Sequence, residues 1–211
     1  MENPHERTDH FEELLKRFLR FDELGMRKEA KESALHLVAS VCGSNAEEAW
    51  TRDNLHLLPL NRAGRIRHEI FQFIVFPPLK SGMERGEPEA SYLLGKHIQN
   101  LYSDDALYRQ IDYRSKTELF QEAYVGNPSS PQYRDAYLSS VLENLSFAFH
   151  EWPSGILIEH TDWQQELREL RAQISLAVSL DRSGEYEGLL AEWSQWTDQY
   201  EVRLAGIDAS Q

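Results

Sequence analysis

The chain has 211 residues, with 22 lysine and arginine residues against 35 aspartate and glutamate residues, so its formal net charge is −13. A single cysteine excludes a disulfide framework and cysteine-based zinc or iron–sulfur sites, because each of these needs several thiolates. The first ten residues lack the apolar stretch of a secretory signal, and no apolar run is long enough to span a bilayer. We therefore expect an acidic, soluble, cytoplasmic protein with a substantial core.

The negative charge is concentrated towards the C-terminus. Residues 140–211 carry 4 basic and 13 acidic side chains, whereas residues 1–139 carry 18 basic and 22 acidic ones. A surface of this sign repels phosphates and anionic lipids, so we expect neither nucleic acid nor a membrane as the main ligand. It attracts basic proteins and speeds their association. It also keeps a protein soluble, and composition alone favours that simpler interpretation.

Apolar residues recur at helical spacing along almost the whole chain, which predicts a single all-α domain. The first helix is expected to be capped by Thr8 or Asp9 and to end at Gly25. Ser44–Glu47 has the form of a capping box and predicts a short third helix after it. Short connections between helices of this length favour antiparallel neighbours.

Several other helix boundaries are marked by residue type. The pair Pro77–Pro78 must kink or end a helix, because proline has no backbone N–H to donate. Asp104 and Ser130 are placed to cap the helices that follow them, and Thr161 is placed to cap a helix near the C-terminus. Residues 156–158 form the only plausible strand.

The middle of the chain, residues 78–150, resembles helical repeats. Gly86–Ala90 followed by Leu94–Gly95 is similar to the G-x-x-x-A-x-x-x-L-G core of Sel1-like repeats. The small residues in this motif let two helices approach closely. The flanking segments, 1–77 and 151–211, match no repeat; the second of them is predicted to be an acidic, tryptophan-rich helical hairpin.

A second stretch resembles the junction between two tetratricopeptide repeats. Phe120, Ala123 and Asn127–Pro128 are similar to the end of one repeat, and Tyr133–Tyr137 is similar to the entry of the next. Together the two resemblances imply a short α-solenoid of antiparallel helical hairpins. Such a scaffold binds a protein or peptide, and the resemblance carries over no catalytic residues.

The sequence contains no recognisable catalytic motif. It lacks a Walker A loop and the patterns G-x-G-x-x-G, G-x-S-x-G and H-E-x-x-H. His68, His150 and His160 each adjoin a glutamate, so a metal-dependent enzyme remains an alternative if they meet in space. A histidine at a helix end is more often a capping or packing residue. We therefore expect a non-enzymatic protein with no cofactor.

One cysteine and one basic cluster are expected to be structural. Cys42 ends an apolar helix, where the helix dipole opposes formation of a thiolate, so a packing role is favoured. Arg62, Arg65, Arg67 and His68 lie together at the start of a helix. We expect these cations to pair with carboxylates of the acidic C-terminal half.

The C-terminal part combines aromatic and acidic side chains. Four of the five tryptophans lie in the last 60 residues. Tryptophan commonly anchors protein interfaces, and carboxylates around it would meet a basic partner, although any single tryptophan is more often part of the core. The predicted contact residues are Trp163, Glu166, Glu169, Trp193 and Trp196, with a second acidic strip at Asp112, Glu118 and Glu122.

The function that fits these features is the masking of a basic partner by a non-enzymatic binding protein. An immunity protein, or antitoxin, against a nuclease toxin is a concrete example, because a nuclease binds phosphates with a basic surface. The alternative is a helical-repeat adaptor that holds a peptide in a concave groove. Its predicted contact residues are Tyr92, Lys96, Gln99, Tyr133 and Tyr137.

Overall fold

A computed structural model of the protein describes residues 4–42, 51, 54–60, 64–159 and 162–208. Every regular element in these ranges is helical, which confirms the all-α fold class. The predicted strand at 156–158 is wrong: these residues are irregular, and the described part of the chain contains no second strand with which they could pair. Among the described helices, none combines the length and the apolar character that crossing a bilayer requires.

Two compact units make up the chain, Met1–Gly126 and Asn127–Gln211. Besides its α-helices, the first unit contains a 3₁₀ turn, Leu55–Leu57, and a π-helical segment, Phe71–Val75. Its α-helices are α1 (Pro4–Glu23), α2 (Arg27–Val41), α3 (His68–Ile70), α4 (Phe76–Glu84), α5 (Pro88–Lys96), α6 (Ile98–Tyr102), α7 (Asp105–Arg109) and α8 (Lys116–Gly126). The helices of the second unit are α9 (Pro131–Phe149), α10 (Trp163–Leu180) and α11 (Glu187–Asp208).

The first helix ends as predicted but starts earlier. Gly25 has a φ of 69°, and the N–H of Met26 reaches back to the carbonyl of Phe21, which is the Schellman arrangement that glycine favours. At the other end, α1 already begins at Pro4, so the predicted cap at Thr8 or Asp9 is wrong. Proline is well suited to a first helical turn, where its missing N–H costs nothing.

The caps of three later helices follow from local residue type. The carboxylate of Asp104 accepts two backbone N–H groups of α7, at 3.0 and 3.2 Å, and Ser130 accepts one from α9 at 3.4 Å. Both were predicted. Asp162 caps α10 by accepting a backbone N–H at 3.4 Å. The predicted cap Thr161 and the predicted capping box Ser44–Glu47 lie outside the described residues.

The interruption expected at Pro77–Pro78 takes the form of the π-helical segment directly before α4. The two prolines lie in the first turn of α4, where they remove no necessary donor. In an α-helical register, however, the carbonyls of Phe73 and Ile74 would accept from residues 77 and 78, which have no N–H.

Two side chains from outside this helix donate to those carbonyls. The Cys42 thiol donates to the oxygen of Phe73 at 3.1 Å, and the buried Thr51 hydroxyl donates to the oxygen of Ile74 at 3.0 Å. Cys42 therefore has a structural role, as a donor as well as a packing residue. Both bonds satisfy carbonyls that would otherwise lose a partner.

The core of the first unit is one continuous apolar cluster. It includes an apolar stripe of α1, in which Phe11, Leu15 and Phe18 are buried. Close helix approaches lie where the sequence has small residues. A Cβ on Gly95 would lie 2.7 Å from the ring of Phe120, so α5 and α8 touch at a point where only glycine fits.

The second unit is built around α10, which contacts both α9 and α11. One side of each helix is buried. The buried apolar residues of the three helices include Val141, Leu145, Phe149, Leu167, Leu170, Ile174, Ala177, Leu190, Trp193, Tyr200 and Leu204.

Candidate functional site

The aromatic residues at the end of α9 and in the middle of α11 form one cluster. Phe149 stacks on Trp193, with ring centroids 5.5 Å apart, and Trp152 stacks on Trp196 at 5.3 Å. Phe149 also contacts Trp196 at 6.0 Å, which joins the two pairs. Offset stacking of this kind adds to the free energy gained from burial alone.

This cluster is partly core and partly surface. Trp193 is only 5% exposed, whereas Trp152 and Trp196 are half-buried. The guanidinium of Arg203 lies 5.0 Å from the centroid of the Trp152 ring and donates to the carbonyl of Pro153 at 2.9 Å. The positive charge of Arg203 is thus directed at an aromatic face within the same unit.

A groove of about 850 Å³ lies beside the cluster, between α9 and α11. Trp193 is its most buried aromatic residue, and Leu189 and Tyr186 line it from the α11 side. On the α9 side lie Glu143 and Phe147, and Phe147 is 69% exposed. A large apolar side chain left in water beside an apolar groove is typical of a protein-binding surface.

The second unit carries 14 acidic side chains against 5 basic ones. Some of these carboxylates have partners within the unit. Arg171 donates to Glu201 at 2.6 Å and to Asp198 at 2.8 Å, linking α10 to α11. These hydrogen bonds raise the pKa of Arg171 and lower that of Glu201.

Other carboxylates of the second unit have no such partner. Glu185, Glu187 and Glu192 are exposed, and their side chains make no hydrogen bond or ion pair with the described part of the chain. Glu192 lies three residues after Leu189, so it is on the groove side of α11. Glu187 instead lines a separate cavity between α10 and α11. Two of these exposed carboxylates, Glu185 and Glu192, are therefore sequence neighbours of the groove residues Tyr186 and Trp193.

The predicted contact residues of α10 lie apart from this groove. Trp163 is half-buried at the start of the helix. Glu166 accepts the backbone N–H of Glu159 at 2.7 Å, and Glu169 accepts from the side-chain amide of Gln165 at 2.7 Å. Of the five predicted contact residues, Trp193 lines the groove and Trp196 belongs to the adjoining cluster.

The second predicted strip belongs to the first unit, and two of its three members are engaged there. Glu122 accepts two bonds from Arg114, at 2.8 and 2.9 Å. Glu118 accepts the N–H of Ser115 at 2.7 Å, and Ser115 accepts the N–H of Glu118, which forms a capping box for α8. These bonds lower the pKa of Glu118. Asp112 is exposed, with a positive φ of 55°.

The basic cluster near α3 pairs with acids of its own unit. Arg67 lies 3.2 Å from Glu69 and 3.8 Å from Asp22. The expectation that its partners come from the C-terminal half is wrong for Arg67, because acids of α1 and α3 are already beside it. Arg62 lies outside the described residues.

The histidines considered as metal ligands lie beside different carboxylates. His68, in the first unit, lies 3.8 Å from Asp104, and His150, in the second, lies 2.7 Å from Glu151. His160 lies outside the described residues. Within the described ranges, no group of three or more histidine, cysteine, aspartate or glutamate side chains is arranged to hold a metal ion.

The residues proposed for the peptide-binding adaptor are also partly engaged within their units. Tyr92 is buried against Phe120, with ring centroids 5.8 Å apart, and the amine of Lys96 lies 5.6 Å from the Tyr92 ring. Tyr137 is buried in the second unit. Gln99 is exposed and Tyr133 is half-buried.

Phe147, the most exposed aromatic residue of the groove, is absent from the predicted contact set. The apolar stripe of α9 runs through Val141, Leu145 and Ala148, and Phe147 falls outside it. The position of Phe147 outside the apolar stripe of α9 therefore indicates, from the sequence alone, that its ring is exposed. Leu189 of α11 gives no such sign, because it lies four residues before the buried Trp193, yet it is 38% exposed.

Comparisons of the chain with protein-family models, with curated proteins and with solved structures found no match. Its function is therefore inferred from the groove, the aromatic cluster and the charge around them.

Proposed function

We propose that the protein binds a basic protein partner in the groove between α9 and α11 and thereby masks the basic surface of that partner. The observation that carries this proposal is the exposed Phe147 at the edge of an apolar groove, in a unit with 14 acidic and 5 basic side chains. Apolar contact supplies affinity, and the surrounding charge selects a partner of opposite sign.

The apolar part of the interaction centres on Phe147 and Trp193. Burying an exposed aromatic side chain contributes roughly 1.5–3 kcal/mol, and such residues carry much of the binding energy of an interface. Trp193 is held in place by its stacking on Phe149, so a partner side chain would enter a preorganised groove. Preorganisation reduces the entropy lost on binding.

The electrostatic part depends on carboxylates that are not already paired. Glu185 and Glu192 are exposed, and they adjoin in sequence the groove residues Tyr186 and Trp193. Acidic groups in such positions raise the rate of association with a basic protein and make that rate sensitive to salt. Asp198 and Glu201, which are bound to Arg171, contribute less.

Within this proposal, a nuclease toxin is the partner that we favour. The surface with which a nuclease holds phosphates must be basic, and an acidic protein that covers it would block the enzyme. The protein would then be a cytoplasmic immunity protein or antitoxin and would need no cofactor. A short α-solenoid of antiparallel hairpins is the scaffold we propose for it, supported by the close approach of α5 and α8 at Gly95.

Affinity capture tests the proposal. The purified protein is immobilised and exposed to an extract of the organism that encodes it, at low and at high salt, and the eluates are identified by mass spectrometry. We expect a basic protein in stoichiometric amount at low salt and much less of it at high salt. A captured nuclease that is inhibited by an equimolar amount of the protein would support the immunity role.

Two results would contradict the proposal. Capture of no protein at either salt would remove the binding function. Capture that is equally strong at high salt would favour the peptide-binding adaptor, because a peptide held mainly by apolar contacts is little affected by ionic strength.

A further inference from the structure

The groove of the second unit is lined along the faces of two helices. Residues three or four positions apart line it from α9, namely Ser139, Leu142, Glu143, Ser146, Phe147 and His150. This spacing is that of one helix face. At 1.5 Å per residue the face extends over about 16 Å, which is the length of about eleven helical residues. Tyr186, Leu189 and Trp193 line the groove from the α11 side at the same spacing.

The two walls of the groove are held apart by large side chains. Both α9 and α11 pack closely against α10, whereas their own backbones approach each other at few points. The rings of Phe149 and Trp193 stack between them, with centroids 5.5 Å apart. The walls are therefore two separate helices, and the space between them is long enough for a further helix of about three turns.

The walls favour a helix over an extended strand as the occupant. The backbone groups of α9 and α11 are bonded within their own helices, so neither wall offers an edge with which a strand could pair. A strand in the groove would leave its own N–H and C=O groups against apolar side chains such as Leu142 and Phe147. A helix satisfies these groups internally and presents only its side chains to the groove.

The charge around the groove favours a basic helix. Among the described residues that line it there is one carboxylate, Glu143, and neither lysine nor arginine. The helices α9 and α11 together carry seven acidic side chains and two basic ones, Arg134 and Arg203. Both basic side chains already donate within the unit, to Asp135 and to the carbonyl of Pro153. Two copies of this chain that met through the groove would bring like charges together, which disfavours a second copy as the occupant.

We propose that the groove binds a basic amphipathic helix of the partner, about three turns long, whose apolar face packs on Phe147 and Trp193. Lysine or arginine side chains at the edges of that helix meet the acidic side chains of α9 and α11. This inference rests on the proposed function and specifies which structural element of the partner enters the groove.

A designed peptide tests the inference without the natural partner. The probe is a fluorescein-labelled peptide of about 14 residues, made of leucine and lysine, with the leucines at helical spacing on one face. Its binding to the full-length protein is measured by fluorescence anisotropy at about 0.15 M salt. We expect saturable binding by this peptide. An otherwise identical peptide with glutamate in place of lysine should not bind saturably, because its charge is repelled.

Two further peptides test whether the occupant must be helical. One central lysine on the polar face is replaced by proline in the first and by alanine in the second. The two peptides have the same charge and the same leucines, and they differ in their ability to form a helix. We expect the alanine peptide to bind at least about tenfold more tightly, because proline inside a helix is strongly unfavourable.

Two variants of the protein locate the binding site. Phe147→Ser should weaken the binding of the lysine peptide at least about tenfold. Val202→Ser, which changes an exposed residue of α11 outside the groove, should leave the affinity unchanged. Equal loss in both variants, or equal affinities of the proline and alanine peptides, would overturn the inference. A dimer of the protein in analytical ultracentrifugation that Phe147→Ser dissociates would assign the groove to a second copy and would also overturn it.

The failure of this inference differs from the failure of the proposed function. A captured natural partner whose binding needs Phe147, together with no binding of the lysine peptide, would overturn the helical occupant and leave the proposed function in place. Absence of a captured partner would contradict the proposed function, whatever the peptides do.

Discussion

The hydroxyl of Thr51 donates to the carbonyl of Ile74 at 3.0 Å and so replaces a hydrogen bond that Pro78 is unable to make. Thr51 is 2% exposed. Thr51→Val keeps much of the shape of the side chain but removes the hydroxyl donor. The buried carbonyl of Ile74 is then left without this hydrogen bond. We expect this change to lower the free energy of unfolding by about 1–3 kcal/mol, measured by urea denaturation.

Thr51→Ser is the matched control for this prediction. It keeps the hydroxyl and removes only a methyl group, so it should cost less than Thr51→Val. If Thr51→Val were as stable as the unmodified protein, the hydrogen bond from Thr51 to the carbonyl of Ile74 would contribute nothing to the stability of the π-helical segment.

The contact between Gly95 and Phe120 gives a second prediction. A Cβ on Gly95 would lie 2.7 Å from the Phe120 ring, which is buried and packs against the ring of Tyr92. Gly95→Ala therefore forces α5 and α8 apart and should cost about 1–3 kcal/mol of stability. Gly188, in α11, has nothing within 4 Å of the corresponding position.

Gly188→Ala is therefore expected to raise stability, by about 0.5–1 kcal/mol, because alanine loses less entropy in a helix than glycine. Thermal unfolding of the two variants compares the same chemical change in a crowded and in an open position. A Gly95→Ala variant with an unchanged melting temperature would show that the two helices do not need glycine at their contact.

Helix ends could be predicted where the signal is local. Gly25, Asp104 and Ser130 act through groups within a few residues, so residue type alone is enough to assign them. The capping box of Ser115 and Glu118 had the same kind of signal and was missed, because both residues lie in the helical segment expected to follow Asp104. That segment is interrupted before α8 by backbone with positive φ.

Features that depend on residues distant in the chain could not be predicted. Thr51 donates to a carbonyl 23 positions away, and no short-range pattern indicates such a pairing. The groove depends on how α9 lies against α11, so the sequence indicates the exposure of Phe147 but not its place at the edge of a groove. The sequence predicted Trp193 and Trp196 as contact residues, but it carried no information on their stacking with Phe149 and Trp152.

The stability of the protein should depend on pH through His97. Burial lowers its pKa to about 4 in the folded protein, against about 6.5 in an unfolded chain, so between these values the unfolded state binds more protons. This group therefore leaves stability unchanged above pH 6.5 and lowers it as the pH falls towards 4. Across that window the loss is about 2–3 kcal/mol.

Urea denaturation of the unmodified protein and of His97→Phe at several pH values from 7.5 to about 4.5 measures this contribution. The difference in unfolding free energy should shift in favour of His97→Phe as the pH falls, because phenylalanine has no proton to bind. A difference that stays constant over the whole range would show that His97 is not a buried neutral histidine.

Binding of the captured partner should depend on Phe147. Phe147→Ser removes an exposed ring that lines the groove, and we expect the dissociation constant to rise at least about tenfold. Val202→Ser is the matched control, because Val202 is also exposed, at 74% against 69%, and does not line the groove. Neither change should alter the melting temperature much. Equal loss of affinity in both variants would place the contact elsewhere.

The most direct test of the central claim compares Glu192→Lys with Glu187→Lys. Both variants reverse the charge of an exposed, unpaired carboxylate on the same helix, and only Glu192 is on the groove side. The association rate with the captured partner is measured over a range of salt concentrations that includes about 0.15 M, where charges act over about 8 Å.

We expect Glu192→Lys to slow association several-fold and to flatten its dependence on salt, because an attractive charge beside the contact has become repulsive. Glu187→Lys should change the rate by less than about twofold under the same conditions. Identical rates for the two variants, whether reduced or unchanged, would contradict the assignment of the groove as the surface that binds a basic protein.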